Sequence, residues 1–171
     1  MNANEFLVDL STIDMDKVLA GPEEIRACNM QRFEMEQLTA VVSIDTETAS
    51  FVGYKDTSRD DFWVRGHMPG MPLMPGVIML EAVAQLCSYV VQKMGLMTDC
   101  VVGFGGLDEV RFRDMVLPGD RLVILGKLIK SRKNRLSICQ FQGVVREHIV
   151  VEGILRGVAL PAEAIQQRSL G

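Results

Sequence analysis

The stretch of sequence that decides the fold is Gly66-His67-Met68-Pro69-Gly70-Met71-Pro72-Leu73-Met74-Pro75-Gly76-Val77-Ile78-Met79-Leu80-Glu81-Ala82-Val83-Ala84-Gln85. Proline fixes φ and lacks an N–H, so Pro69, Pro72 and Pro75 exclude a helix before Pro75 and predict a stiff, extended loop. Pro75 is suited to the first turn of a helix, and Gly76 allows another group to approach the backbone closely. A rigid loop that leads directly into a helix is therefore predicted.

The helix is predicted to run from about Gly76 to Met94 and to end at Gly95. Its apolar residues surround it instead of forming one stripe, so we expect protein to enclose most of it. These apolar residues are Val77, Ile78, Leu80, Val83, Leu86, Val90 and Val91. The segment is too short and too interrupted to span a membrane.

The polar residues of this helix form one narrow line at i, i+4, i+7 and i+11: Glu81, Gln85, Ser88 and Gln92. A solvated edge is the ordinary interpretation, but such an edge usually carries Lys and several Glu. Here Glu81 is the only charged residue between Met74 and Gln92. We therefore expect Glu81 to lie in a polar crevice. Together with His67, one of two histidines, it forms the best candidate acid–base pair.

Most of the remaining chain has the composition of antiparallel strands, at residues 122–125, 136–145 and 149–158, with a hairpin from 38–44 and 49–54. A short helix is predicted at residues 15–19, capped by Asp14. The glycines at 103, 105 and 106 indicate a bulge or a close backbone approach and not a phosphate loop, because strand residues follow them. One long apolar helix and about six antiparallel strands predict an α+β fold whose sheet curls around the helix.

Several motifs resemble the β-hydroxyacyl-acyl carrier protein dehydratases of bacterial type II fatty acid synthesis. Those similar to the active-site signature are Gly66-His67-Met68-Pro69, Pro72-Leu73-Met74-Pro75-Gly76-Val77 and Glu81-Ala82-Val83-Ala84-Gln85. Residues 104–113 and 116–120 are similar to the strand and turn that follow in this family. The chain departs from the pattern at Met68, where the family usually has Phe. The family's N-terminal Pro-His-Arg and Leu-Leu-Val-Asp-Arg pattern also has no counterpart before Gln37.

The resemblance implies the hotdog fold, with a single domain over residues 1–171. Within it, residues 1–36 are a divergent N-terminal segment, and residues 66–95 are the catalytic loop and central helix. It also implies a homodimer whose sheets join edge to edge, with substrate tunnels between the protomers. Whether three such dimers associate into a larger assembly is left open. In that dimer His67 of one protomer meets Glu81 of the other.

Elimination of water from a β-hydroxyacyl thioester needs a base, an acid and donors for the thioester oxygen. We assign the base to His67, because neutral imidazole is abundant near neutral pH. Glu81 is the acid, with a pKa expected to rise in an apolar tunnel. Gln85 could position Glu81 or a water, and the N–H groups of Gly76 and Val77 offer unpaired donors at the positive end of the helix. The reaction needs no metal or redox cofactor.

The composition fits an intracellular globular enzyme: 171 residues, 48% hydrophobic and 23% charged, are enough for one domain with a core. A net charge of −4, without a basic patch that contains aromatic residues, argues against nucleic acid as the main partner. The N-terminus lacks the features of a signal peptide, so a cytoplasmic location is expected. The cysteines contain no C-x-x-C pair and are predicted to be buried thiols: Cys28, Cys87, Cys100 and Cys139.

Basic residues concentrate in two places, Arg111 with Arg113 and Arg132 with Lys133. A hairpin tip and solvated strand faces explain them as well as any function does. The resemblance implies instead that an acidic acyl carrier protein docks on basic residues at the tunnel mouth. The sequence leaves open whether the thioester is carried by acyl carrier protein or by coenzyme A.

Two other functions stay open beside formation of a trans-2-enoyl thioester. One is a dehydratase that also isomerises the double bond, although the relatives that do so resemble this chain with Asp in place of Glu81. The other is a non-catalytic acyl-thioester binding or regulatory protein, which would keep the tunnel without the acid–base pair. The presence of both His67 and Glu81 favours the enzyme. His148, at a predicted hairpin turn, is expected to lie on the surface.

Overall fold

An antiparallel sheet of six strands packs against one long helix in the computed structural model, which describes residues 6–163. The two helices are α1 (Pro22–Arg26) and α2 (Gly76–Lys93). The strands are β1 (Ala40–Asp45), β2 (Ser50–Asp56), β3 (Val101–Phe112), β4 (Arg121–Arg132), β5 (Leu136–Val145) and β6 (His148–Leu160). Helix α2 contacts β2, β3, β4, β5 and β6, as expected for a sheet that curls around its helix.

Helix α2 begins and ends where the sequence predicts. Pro75 is the N-cap, with extended backbone at φ −59° and ψ 135°, so the helix starts at Gly76. Met94 is the C-cap, and Gly95 follows in the left-handed region at φ +68°, where glycine carries no steric penalty. Most of the helix is buried, which confirms that protein encloses it.

The strand order in the sheet is β1-β2-β4-β5-β6-β3. Strands β4, β5 and β6 form the predicted antiparallel meander. Strand β3, however, precedes them in the chain and pairs with β6, so that it forms one edge of the sheet. The register of the β3–β6 pairing shifts between Phe104 and Gly106, which confirms the predicted bulge. A Cβ at Gly103 would stand 2.4 Å from Leu160, so this strand is also closely approached by its neighbour.

The two faces of the sheet bury different partners, because successive side chains of a strand point to opposite faces. One face packs against α2 and forms the main core. On the second face, a smaller buried cluster that includes Tyr54 and Leu125 is covered by apolar residues of the N-terminal segment. The backbone N–H of Leu7 donates to the side-chain oxygen of Gln142 at 2.8 Å and holds this segment on β5.

The helix predicted at residues 15–19 is wrong. These residues form turns, and the Asp14 carboxylate accepts the N–H of Asp16 at 3.1 Å instead of capping a helix. The N–H groups of Leu19 and Ala20 both donate to the carbonyl of Val41, which draws the chain alongside β1. A single short helix is marginal by itself, so pairing with a distant strand overrides the local preference.

The cysteines are free thiols, as predicted, but their burial differs. Cys87 and Cys139 are buried, whereas Cys28 and Cys100 are partly exposed. A hydrogen bond with Cys139, together with burial, raises the pKa of the Cys87 thiol well above its usual range. His148 is exposed at the start of β6, as expected.

Candidate active site

Buried residues hold His67 in place from both sides of its loop. The N–H of His67 donates to the carbonyl of Trp63 at 2.7 Å, and Trp63 is 3% exposed. Further along, the N–H of Met74 donates to the carbonyl of Val116 at 2.8 Å, and the Met74 side chain is fully buried. The loop is free of helix, as the prolines predict, but it contains a tight turn at residues 68–71.

The imidazole of His67 is oriented by the backbone of its own loop. Its Nδ1 lies 2.9 Å from the carbonyl oxygen of Leu73. A carbonyl oxygen can only accept, so in the neutral ring Nδ1 carries the hydrogen and Nε2 carries the lone pair. The same Leu73 donates its N–H to the carbonyl of His67 at 2.9 Å, which fixes their relative position. The arrangement leaves Nε2 as a proton acceptor, which is what a general base requires.

The carboxylate of Glu81 is held through one of its two oxygens. Oε1 accepts a hydrogen bond from Nε2 of Gln85 at 2.8 Å and a second one from Nε2 of Gln31 at 3.1 Å. Gln85, which was predicted to position Glu81, contacts it from one turn along the helix. Glu81 is partly exposed, so it lies in a polar crevice with one face open.

Gln85 is itself locked by the chain that precedes β1. Its Oε1 accepts the backbone N–H groups of Gln37 at 2.9 Å and Leu38 at 3.1 Å. Its Nε2 also donates to the carbonyl of Met35 at 2.6 Å. Because backbone N–H groups can only donate, the amide orientation of Gln85 is determined, and its Nε2 must face Glu81. Gln85 is 1% exposed, so water does not compete for these bonds.

The first turn of α2 presents two backbone donors. The N–H groups of Gly76 and Val77 have no acceptor among residues 6–163, since they precede the first intrahelical hydrogen bonds. The positive end of the helix dipole adds to their attraction for negative charge. The Gly76 backbone is also closely approached by the ring of Phe112, as the sequence predicts for a glycine at this position. This turn can therefore stabilise a developing oxyanion.

A cleft with a free volume of about 450 Å³ opens beside Glu81, between α2 and strands β3, β5 and β6. It is lined by Gln31, Glu81, Ala84, Cys87, Ser88, Val102, Gly103, Phe104, Ser137, Leu155 and Gly157. His67 does not line this cleft. Within residues 6–163 of one chain, no hydrogen bond joins His67 to Glu81.

The four basic residues suggested for carrier docking do not form one patch. Arg111 and Arg113 lie at the end of β3, where Arg113 forms an ion pair with Glu152. Arg132 lies across β5 and β6 from Gly103, near the start of β3, and Lys133 follows it at the hairpin tip. Positions 103 and 111 are eight residues apart, about 25 Å along a strand. The two basic pairs therefore occupy opposite ends of the sheet.

Residues 6–163 contain no cluster of three or more His, Cys, Asp or Glu side chains that could hold a metal ion. In the same residues, no helix is long and apolar enough to cross a membrane.

Comparison with known proteins identifies the family of this chain. Residues 29–154 match the model of the FabA-like domain. The chain belongs to the FabA-like domain family. It is 39% identical over 118 residues to the 3-hydroxyacyl-[acyl-carrier-protein] dehydratase FabZ of Hydrogenobaculum sp. (strain Y04AAS1), which covers 68% of this chain and 79% of that protein. Its identity to the FabZ of Moorella thermoacetica is 38% over 104 residues, or 61% of this chain and 72% of the relative.

Solved structures of the same architecture show the hotdog fold at much lower identity. The dehydratase heterocomplex ApeI:P of Xenorhabdus doucetiae matches with a TM-score of 0.67 at 15% identity, over 84% of this chain and 95% of that one. The PaaI protein of E. coli matches with a TM-score of 0.57 at 14% identity, over 80% and 90% of the two chains. This FabA-like chain therefore has the hotdog fold that the sequence motifs imply.

Two residues of the N-terminal segment that contact Glu81 and Gln85 were not predicted from the sequence. Gln31 contacts the carboxylate directly, and Asn29 donates from its side chain to the carbonyl of Gln85 at 2.8 Å. Asn29 is 4% exposed, which is unusual for an amide before the first strand. The sequence carried one weak signal, the isolated polar residues next to Met30, but nothing local indicates what they contact.

Proposed function

We propose that this protein removes water from a 3-hydroxyacyl thioester on acyl carrier protein and forms the trans-2-enoyl thioester in fatty acid synthesis. The observation that carries the proposal is the cleft beside Glu81. It places a carboxylate held by two amides next to a space lined by both polar and apolar residues, at one side of the helix whose first turn has two unpaired N–H groups. The relatives named 3-hydroxyacyl-[acyl-carrier-protein] dehydratase support the same reaction.

The chemistry follows from the roles that these groups can take. Nε2 of His67 removes the α-proton, and the C–H electron pair forms the new double bond. The N–H groups of Gly76 and Val77 stabilise the negative charge that grows on the thioester oxygen. Glu81 gives its proton to the departing hydroxyl, which leaves as water. The products are the enoyl thioester and one water, and proton return from His67 to Glu81 through solvent restores the starting state.

The site needs a second copy of the chain in this proposal. Strand β3 is a long edge strand, and along one side it has no partner strand within residues 6–163. Exposed apolar side chains lie along this edge and just beyond its end, on the loop that carries His67 and at the start of α2: Met68, Met71, Val77, Phe104, Phe112 and Met115. A two-fold pairing of β3 with its copy would cover the edge and these side chains. His67 of one protomer then faces Glu81 of its partner.

The direct test is incubation of the purified protein with 3-hydroxybutyryl acyl carrier protein, followed by absorbance of the conjugated product and mass spectrometry of the acyl group. We expect loss of one water from the acyl chain. The same product analysis separates the trans-2 isomer from any cis-3 isomer, and a trans-2 product alone argues against an accompanying isomerase. Tight binding of the acyl thioester without loss of water would contradict the proposal and favour a non-catalytic binding protein. Parallel assays with the coenzyme A thioester determine the preferred carrier.

A further inference from the structure

Gln31 is the one contact of the Glu81 carboxylate that comes from outside α2, among the residues that the structure describes. It reaches Glu81 across 50 positions of sequence, and its Nε2 lies 3.1 Å from Oε1. Gln85 donates to the same oxygen at 2.8 Å. Oε2 has no hydrogen-bond partner within residues 6–163. The two oxygens of this carboxyl group are therefore in different environments.

The segment that carries Gln31 is docked firmly on α2. The Asn29 side chain donates to the carbonyl of Gln85 at 2.8 Å, in a buried contact. Arg32 donates to the carbonyls of Asn29 at 2.8 Å and Gln31 at 2.6 Å, which ties the backbone on both sides of Gln31. These contacts fix the backbone of Gln31, so that its side chain starts from a defined position beside Glu81.

We infer that Gln31 is a positioning residue for the general acid: together with Gln85 it keeps Oε1 as an acceptor, so that the proton given to the leaving hydroxyl resides on Oε2. This inference rests on the proposed dehydration. The hydrogen-bonding capacity of the two amides favours this protonation state. The amide of Gln85 can only donate toward Glu81, so a proton on Oε1 would face its N–H group. Gln31 adds a second donor on the same oxygen in the orientation seen here. A proton on Oε2 meets no such conflict and points away from both amides.

The inference predicts a defect that depends on the leaving group. Hydroxide must be protonated to leave, whereas chloride leaves unprotonated when the base takes the α-proton, and both eliminations form the same enoyl thioester. In Gln31→Met the side chain keeps about its length and loses its donor. We expect kcat for the 3-hydroxybutyryl thioester of N-acetylcysteamine to fall about tenfold with little change in KM, since one hydrogen bond to the acid is lost. We expect elimination from the 3-chlorobutyryl thioester to stay within about twofold of wild type, because it does not use the acid.

Gln92→Met is the matched control. It makes the same change at a glutamine near the far end of the polar line that carries Glu81; Gln92 donates to Ser88 and, at 3.4 Å, to Asn29, and does not contact Glu81. We expect it to be near wild type with both substrates. If Gln31→Met fails to fold, Gln31→Ala is measured in the same assays.

Two results would overturn the inference while the proposed function stands: wild-type dehydration in a folded Gln31 variant, or equal slowing of both substrates. A wild-type protein that eliminates water from no 3-hydroxyacyl thioester would instead refute the proposed function. The two failures are therefore distinguished by the wild-type measurement alone.

Discussion

The ring of Phe112 lies against the backbone of Gly76, where a Cβ would stand 2.7 Å from the ring carbon Cε1. The contact joins the end of β3 to the first turn of α2. Glycine at this position serves a steric purpose, because it admits the aromatic ring. Its backbone N–H, which any residue except proline would keep, serves the proposed oxyanion purpose. Each purpose can be tested separately.

The contact with Phe112 predicts that the effect of Gly76→Ala on the free energy of unfolding changes sign when the ring is removed. Gly76→Ala should lower the free energy of unfolding by about 1–2 kcal/mol, because Phe112 must move to make room. In a Phe112→Ala background the same change should raise it by about 0.5 kcal/mol, because alanine restricts the unfolded chain more than glycine does. Denaturant unfolding of the four proteins measures the cycle. Equal effects in the two backgrounds would mean that the ring does not restrict position 76.

The oxyanion purpose is tested in the Phe112→Ala background, where both residues fit. Gly76→Ala keeps the backbone N–H and Gly76→Pro removes it, and the extended Pro75 backbone is compatible with a following proline. We expect kcat for dehydration to be about 10²-fold lower with Pro than with Ala, since one oxyanion donor is lost. Equal kcat values in two folded proteins would place the charge stabilisation elsewhere.

The acid and the base should respond differently to the leaving group. His67→Ala and Glu81→Gln should each lower dehydration by roughly 10²- to 10⁴-fold, with the double variant little worse than the poorer single one, because both act in one transition state. With the 3-chlorobutyryl thioester, the elimination rate of His67→Ala should stay low, and that of Glu81→Gln should return close to the wild-type rate. Rescue of the histidine variant instead would reverse the two roles.

Mixing experiments test whether two chains share the site. Inactive His67→Ala and Glu81→Ala chains, mixed and exchanged, should regain about a quarter of wild-type activity, because half of the dimers are mixed and one of their two sites is intact. As a control, wild type mixed equally with the double variant should retain about a quarter of the activity if the pair is split between chains, and about half if it lies within one chain. Mass spectrometry confirms that the chains exchange, and exchanged dimers without activity would disprove the shared site.

The two separated basic pairs predict an asymmetric effect on carrier binding. Arg111 precedes Phe112 at the end of β3 that contacts the helix start proposed to bind the thioester, whereas Arg132 and Lys133 lie about 25 Å away along the sheet. We expect Arg111→Glu to raise KM for the carrier-bound substrate about tenfold and to leave KM for the N-acetylcysteamine thioester unchanged. The double change Arg132→Glu and Lys133→Glu serves as the matched charge reversal and should have little effect. A larger effect of the second variant would move the docking surface to the hairpin tip.

Local rules predicted the elements near the site well. Prolines act on their own φ and N–H, so the loop and the start of α2 follow directly from Pro69, Pro72 and Pro75. The same rules failed at residues 15–19, where pairing with Val41 replaced the predicted helix. They also did not predict that β3 would pair with β6, because strand order depends on which edge remains available after the sheet has wrapped the helix.

The sequence by itself determined the chemistry that is available: a histidine in a proline-bounded loop, a single carboxylate on an apolar helix and a glycine at the helix start. These follow from short-range sterics and periodicity, which operate over a few residues. Only the tertiary structure decided what surrounds that chemistry. Gln31 reaches Glu81 across 50 residues, and Phe112 comes to rest on Gly76 from the far end of another strand. Contacts of this kind are set by the packing of the whole sheet on the helix, and no local pattern records them.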